Sequence, residues 1–412
     1  MLCYIAYPTS LTLESANALQ TYMTLRELRV RRPDMLALIP RWGREPSRFS
    51  AVGATHLPRP AIGKLSRLHR STLLYYLEHT LFAWMCAAAL VRNRRMIEAV
   101  YVRQVVCAAW WGAVIGPLLG IPVIYEAHDL ESHNPSRAKE RWAQGLLHVL
   151  DRAALTRSSA VVSLTADFGR YLEAIGWRQA AEVHVIPDAY DDQIFVPQSR
   201  VDCRAQLGLA TDAELAVYAG MTFAHRWLDG LLAAVSRLQA AHPRLQVLLV
   251  GGRPAERAAL CQQAVELGLR VVDQTAGAPI QAQPLQSAQI ILTGAHPQVD
   301  VVRYLGAADV LVIPDTITDM TASPLKLFEY LALGHPLVLP DLPALREIVP
   351  GTLAHYFPRR DGAGLSQALA AALESCPDPT GAAARQQLAQ DHTYSRRAQR
   401  ILAVVAQVIA AQ

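Results

Sequence analysis

A lysine and a glutamate three residues apart, Lys326 and Glu329, carry the strongest chemical signal in the chain. They sit in Thr321-Ala322-Ser323-Pro324-Leu325-Lys326-Leu327-Phe328-Glu329-Tyr330-Leu331-Ala332, which reads as a helix start. Ser323 suits the N-cap, Pro324 the first helical position, and Gly334 the stop. Lys326 then falls in the first turn, where the helix dipole disfavours a cation. A bound anion would explain it, because free backbone N–H groups and Lys326 together make a pyrophosphate site. Glu329 lies on the same side of the helix and can accept two neighbouring hydroxyls, as a ribose offers. The alternative is a surface Lys–Glu pair on an ordinary helix. The preceding strand ends Ile313-Pro314-Asp315. The loop Thr316–Ala322 and the helix start therefore lie at a strand's carboxyl end, where open α/β sheets bind ligands.

The elements that must hold this segment are strands alternating with helices. Candidate strands in the first half are Leu2–Tyr7, Met35–Ile39, Ala99–Val102, Pro122–Tyr125, Ala160–Leu164 and Val183–Ile186. In the second half they are Leu215–Ala219, Val247–Val250, Ile290–Leu292, Val310–Ile313, Leu337–Leu339 and Ala354–Phe357. Such alternation implies right-handed βαβ crossovers and parallel sheets. The strands are too many for one comfortable open sheet, so the expected class is α/β with two doubly wound domains. The break is expected near Pro187 to Gly208, and a last helix at Ser395 to Ala410. Val105 to Tyr125 carries no charge and is long enough to span a bilayer. Gly112, Pro117, Gly120 and Pro122 interrupt it, so a helix followed by a buried strand is expected instead.

Composition narrows the function classes. Of 412 residues, 52% are hydrophobic and 18% charged, which suits a well-buried chain and excludes disorder. A formal charge of +4, from 39 basic and 35 acidic residues, is too even for a nucleic-acid binder. Cys3, Cys86, Cys107, Cys203, Cys261 and Cys376 are scattered with no CxxC pair. That argues against a zinc site or disulfide framework and for a reducing cytoplasm. Met1 to Pro8 reads as a first strand entering a loop, not as a signal peptide.

Longer stretches resemble family-4 retaining glycosyltransferases of GT-B fold. The match runs through Tyr304-Leu305-Gly306-Ala307-Ala308-Asp309-Val310-Leu311-Val312-Ile313-Pro314, the Ser323–Tyr330 segment, Gly334-His335-Pro336 and Asp341-Leu342-Pro343-Ala344-Leu345-Arg346-Glu347-Ile348. Weaker matches are Tyr125-Glu126-Ala127-His128-Asp129, Val185-Ile186-Pro187-Asp188, Val217-Tyr218-Ala219-Gly220 with Arg226, and Thr293-Gly294. The resemblance implies two Rossmann-like domains facing a cleft. Residues 1–195 would form the acceptor-side domain and 196–390 the nucleotide-sugar domain. Residues 391–412 would form a helix crossing back to the first. It implies a nucleotide diphosphate sugar as donor substrate, with no metal and no organic cofactor. By the same resemblance, Glu329 holds the donor ribose. Lys326 and the backbone at Ser323, Pro324 and Leu325 contact pyrophosphate and sugar. Arg226 neutralises the phosphate beside Gly220, and His128 sits beside the transferred sugar. Gly294 to His296 meet the base.

Three departures from the family stand out. Thr321 occupies the place of the first of two paired glutamates. Met221 follows Gly220, where relatives carry a second arginine. The loop Tyr7–Ser15 lacks the usual paired glycines and is polar, ending at Ser15, which suits an N-cap.

The implied reaction is a front-face displacement. The acceptor hydroxyl enters on the leaving-group side, a phosphate oxygen takes its proton, and configuration is retained. Arg226, Lys326 and a helix N-terminus would stabilise the leaving pyrophosphate. On the acceptor side, Ser15, Arg103 and Asp129 are candidates, with Glu131 and His133 of the same loop as weaker ones; His225 and His296 are weak candidates for side-chain contacts. The acceptor itself, whether glycan, lipid-linked or small molecule, is not legible. Arg59, Lys64, Arg67, His69 and Arg70 alternate with apolar residues over 59–76, a pattern that can lie on anionic lipid. The expected location is cytoplasmic, at the inner face of the cell membrane if that contact is made. The competing reading is a non-catalytic nucleotide-sugar or partner-binding module. A nicotinamide oxidoreductase would need a GxGxxG fingerprint that is missing.

Overall fold

The computed structural model describes residues 1–13, 15–41, 47–59, 72–133, 142–274, 282–316 and 320–412. The chain forms two compact units, Met1–Asp188 with Tyr394–Gln412, and Ala189–Thr393. The strands of the first unit are β1 (Leu2–Ile5), β2 (Leu36–Arg41), β3 (Thr55–Pro58), β4 (Ala99–Val102), β5 (Val123–Ala127), β6 (Ala160–Ser163) and β7 (Val183–Val185). They pair in the order β3-β2-β1-β4-β5-β6-β7, all parallel. The second unit holds β8 (Glu214–Ala219), β9 (Leu245–Val250), β10 (Val271–Asp273), β11 (Ile290–Gly294), β12 (Val310–Val312), β13 (Leu337–Pro340) and β14 (His355–Phe357). Their order is β10-β11-β9-β8-β12-β13-β14, again parallel. Each order reverses direction once beside its first strand, which makes both units doubly wound. The strands β3 and β10 were not expected from the sequence.

Helices cover both faces of each sheet, which is why the central strands read as unbroken apolar runs. In the first unit, one core joins Cys86, Val106, Trp111 and Phe168 to the sheet. The opposite core brings Leu25 and Leu28 together with Ile401 and Val405 of the C-terminal helix Tyr394–Ala410. Ile401 is fully buried, so truncating it to alanine costs about 2–5 kcal/mol. Ser15 caps the helix Ala16–Arg31, its Oγ accepting from the Ala18 N–H at 3.2 Å. That fixes the loop before it and brings Ser15 Oγ to 2.6 Å from Thr9 Oγ1.

The uncharged stretch after Gln104 is a helix Val105–Trp110, a π turn at Trp111–Ile115 and a short helix Gly116–Leu119, followed by β5. Leu74–Val91 is long and apolar enough to cross a membrane, and 44% of it is buried in its own unit. Of the basic stretch 59–76, residues 60–71 lie outside the described residues. Arg59 is spent on the buried Glu78, reaching Oε2 from Nη2 at 3.2 Å, and Tyr76 is buried.

The helix of Lys326 begins one residue later than expected. Pro324, at φ −71° and ψ 131°, takes the cap position, and Leu325 opens the helix Leu325–Leu333. The Pro324 carbonyl accepts from the Leu327 N–H at 2.9 Å. Proline's fixed φ serves a cap as well as a first turn, so composition alone misplaced the boundary.

Candidate functional site

In the second unit, β8, β9 and β11 all run out into glycines at their carboxyl ends. Gly220 follows β8 at φ +140°, and Gly251 follows β9 at φ +116°. A Cβ on Gly251 would stand 2.3 Å from the Gly220 carbonyl oxygen. One on Gly220 would stand 2.6 Å from Lys326 Nζ. Only glycine fits either place, and what it leaves open is bare backbone beside a lysine. Gly294 closes β11 in the same way.

Lys326 Nζ lies 3.9 Å over the Tyr218 ring, a cation–π contact. The ring is fixed in turn, since Tyr218 Oη donates to the Met221 carbonyl at 2.6 Å. Tyr330 of the same helix accepts the Ala219 N–H at 2.8 Å and ties the helix to the end of β8. Burial, then the charge of Arg226, holds the Lys326 ammonium well below its ordinary pKa, against the pull of Glu329. Arg226 closes the turn Ala224–Arg226, and its Nε has no partner among the described residues. Burial, with Arg226 behind it, also lowers the neighbouring His225.

Glu329 accepts from Gln298 Nε2 at 3.4 Å. Burial pushes its carboxyl up to about 7, opposed by Lys326 and Gln298. Thr321 and Ser323 are buried in the loop before the helix. The root of that loop is held by Asp315, fully buried, which accepts from Arg359 Nε at 2.7 Å and Arg360 Nε at 2.8 Å. Arg359 also donates to the Thr316 carbonyl at 2.9 Å. His296 rests on Tyr304, ring centres 4.8 Å apart. Two cations, glycine backbone and a helix N-terminus together suit a diphosphate. Glu329 with Gln298 suits a pair of hydroxyls.

The first unit carries a separate pocket of about 150 Å³, lined by Tyr7, Thr9, Asn17, Arg103, His128 and Asp129 among others. Arg103 and His128 follow the carboxyl ends of β4 and β5. Arg103 is buried, and each of its nitrogens has a partner. Its Nε donates to Glu126 Oε1 at 3.0 Å, and its Nη groups donate to Thr21 and Gln20. Its Nη2 also lies 2.8 Å from His128 Nε2. Glu126 accepts from Tyr101 Oη and, at 2.8 Å, from Arg397 Nη2. Burial pushes the Glu126 carboxyl up, but Arg103, Arg397 and His128 together draw it well below the usual range. Burial and then Arg103 keep His128 below its ordinary value, against Glu126. Glu131 accepts from Tyr76 Oη at 3.0 Å, and His133 packs on Tyr171.

The structure thus gathers Gly220, Arg226, Lys326 and Glu329 in one unit and Arg103, His128 and Asp129 in the other. Ser15 stands one contact behind the pocket, through Thr9. Sequence reading missed Tyr218, Gln298, Glu126 and Arg397. Only Glu126 left a trace: two residues before His128 in a strand, it shares that residue's face.

Known proteins match each of the two units. Residues 18–189 match the glycosyl transferase 4-like domain and residues 213–375 match glycosyl transferases group 1. A D-inositol 3-phosphate glycosyltransferase of Stackebrandtia nassauensis is 30% identical over 151 residues, 35% of this chain and 33% of that one. A 2-deoxystreptamine glucosyltransferase of Streptomyces kanamyceticus is 23% identical over 252 residues, 58% of this chain and 60% of that one. The matches thus span less than two thirds of each relative. The Anabaena protein HepE, solved in complex with UDP, shares the fold at a TM-score of 0.71 and 16% identity, over 99% of this chain and 100% of that one. With a doubly wound sheet in each unit and a family match on each, the chain belongs to the GT4-like glycosyltransferases of GT-B fold.

Proposed function

We propose that this chain moves a sugar from a nucleotide diphosphate donor to a hydroxyl acceptor, with retention and without a metal ion. The observation that carries the reading is the pair Lys326 and Arg226. One rests on an aromatic ring and the other has a buried Nε without a partner among the described residues, both beside the glycine-lined end of β8. Cations so placed meet the negative charge that grows on the leaving pyrophosphate. Glu329 and Gln298 take the ribose hydroxyls, and Gly294 lies beside the base. A phosphate oxygen accepts the proton of the attacking hydroxyl, so no protein carboxylate need act as nucleophile. The pocket around His128 receives the acceptor side.

A thermal-shift panel with UDP, GDP, ADP and dTDP tests this, since a ligand that binds only the folded state raises the melting temperature. One diphosphate should stand out, and Lys326→Ala should abolish its effect. Silence from all four would favour a non-catalytic module. Slow release of nucleotide diphosphate from the donor sugar would then decide whether turnover occurs.

A contact with anionic lipid belongs to the same proposal, moved from 59–76 to the helix Thr72–Val91. Its outward stripe is Leu77, Leu81, Trp84 and Val91, and exposed Arg92, Arg94 and Arg95 follow. Such a face suits a bilayer surface at the cytoplasmic side. Co-sedimentation with phosphatidylglycerol vesicles should be lost in Trp84→Asp; binding that persists there would refute it.

A further inference from the structure

His128 Nε2 faces two groups that ask opposite things of it. Glu126 Oε1, at 2.8 Å, is an acceptor and wants a proton on that nitrogen. Arg103 Nη2, also at 2.8 Å, is a donor and wants a lone pair there. A neutral ring can satisfy only one of them, and the choice fixes what its other nitrogen offers to the pocket. With Nε2 protonated, Nδ1 is an acceptor. With Nε2 bare, Nδ1–H is a donor.

The surrounding groups decide the contest. Glu126 Oε1 already takes Arg103 Nε at 3.0 Å and Arg397 Nη2 at 2.8 Å, while Tyr101 donates to Oε2. Arg103 Nη2 has two hydrogens and sends one to Gln20. Among the described residues, the other has only His128 to go to. Asp188 is the remaining buried carboxyl near this cluster, and it interacts with Arg397 and Arg103. Arg397 comes from the C-terminal helix, 271 residues after Glu126 in sequence. We propose that Arg397 is a positioning residue: by occupying Glu126 it lets Arg103 claim His128 Nε2, so that His128 presents an Nδ1–H donor to an oxygen of the bound sugar or acceptor. The proposal rests on His128 being a site residue, but the tautomer can be read without turnover, so the two can fail separately.

The test is nitrogen NMR of protein labelled with ¹⁵N-histidine, with His128 assigned by its loss in His128→Asn. In the wild-type protein at neutral pH the proton should sit on Nδ1. In Arg397→Gln it should move to Nε2, because Glu126 is freed to accept it. Turnover should fall about tenfold or more, with donor KM little changed, and Arg397→Lys should recover part of the loss. Ser395→Ala serves as the control. It removes the 2.6 Å contact between the same helix and Arg31 without touching Glu126, and should leave the His128 signal in place. An Nε2 proton in the wild type, or an unmoved tautomer in Arg397→Gln, would overturn the proposal. So would a tautomer shift in Ser395→Ala, which would reduce Arg397 to a structural anchor.

Discussion

The two units handle buried positive charge in opposite ways. In the first, Arg103 and Arg397 close on Glu126, and Tyr101, Gln20 and Thr21 take up the remaining atoms. The two cations there share one carboxylate, and neutral acceptors take further guanidinium hydrogens. In the second, Lys326 and Arg226 repel one another in a partly buried setting, with Glu329 as weak compensation. Such a group costs stability until something negative arrives. The first cluster builds a platform, and the second is shaped for a visitor.

Substitutions sharpen this contrast. The largest effect is expected from Glu126→Gln, which strands two buried guanidinium groups. Chemical denaturation should show a loss of about 3–5 kcal/mol. A loss below about 1 kcal/mol would break the comparison. Next comes Lys326→Met, which should slow turnover by roughly 10²–10³-fold, about 3 kcal/mol of barrier. Its nucleotide-free melting temperature should hold or rise, the opposite sign to Glu126→Gln. The smallest effect concerns pH. The Glu329 carboxyl sits at about 7 in the folded chain, above its ordinary 4.5. A raised carboxyl stabilises fully below pH 4.5 and loses that contribution as pH rises through 7. Glu329→Gln should therefore stabilise the nucleotide-free protein at pH above 7, by about 3 kcal/mol at most, and not in acid. Equal shifts at both pH values would show that burial of Glu329 is not what raises it.

The sequence reads well where physics is local. Central strands such as β1 and β12 are apolar throughout, β5 and β8 are apolar but for Glu126 and Glu214, and all four lie where expected. The strands that escaped notice, Thr55–Pro58 and Val271–Asp273, are at sheet edges, short and only half buried. Their pattern carries no period-two or continuous apolar signal. Lys326 and Glu329 were legible because they share one helix turn. The partnership of Glu126 with Arg397 was not, because nothing local joins a strand residue to a helix so far along the chain. Gln298 was hidden likewise, as it reaches Glu329 from another helix. The displaced helix start shows a subtler limit, since serine and proline each suit more than one position at a helix entry.

The last helix has a consequence for biosynthesis. The second unit is one uninterrupted segment, whereas the first is made of both ends of the chain. A ribosome delivers Glu126 long before Arg397. The earlier unit must wait with a buried carboxylate short of one cation while the later one folds completely. A nascent or truncated chain that stops before Tyr394 lacks both Arg397 and the apolar face around Ile401. Quality control then has a simple mark to act on: an exposed sheet face that the helix Tyr394–Ala410 has yet to cover.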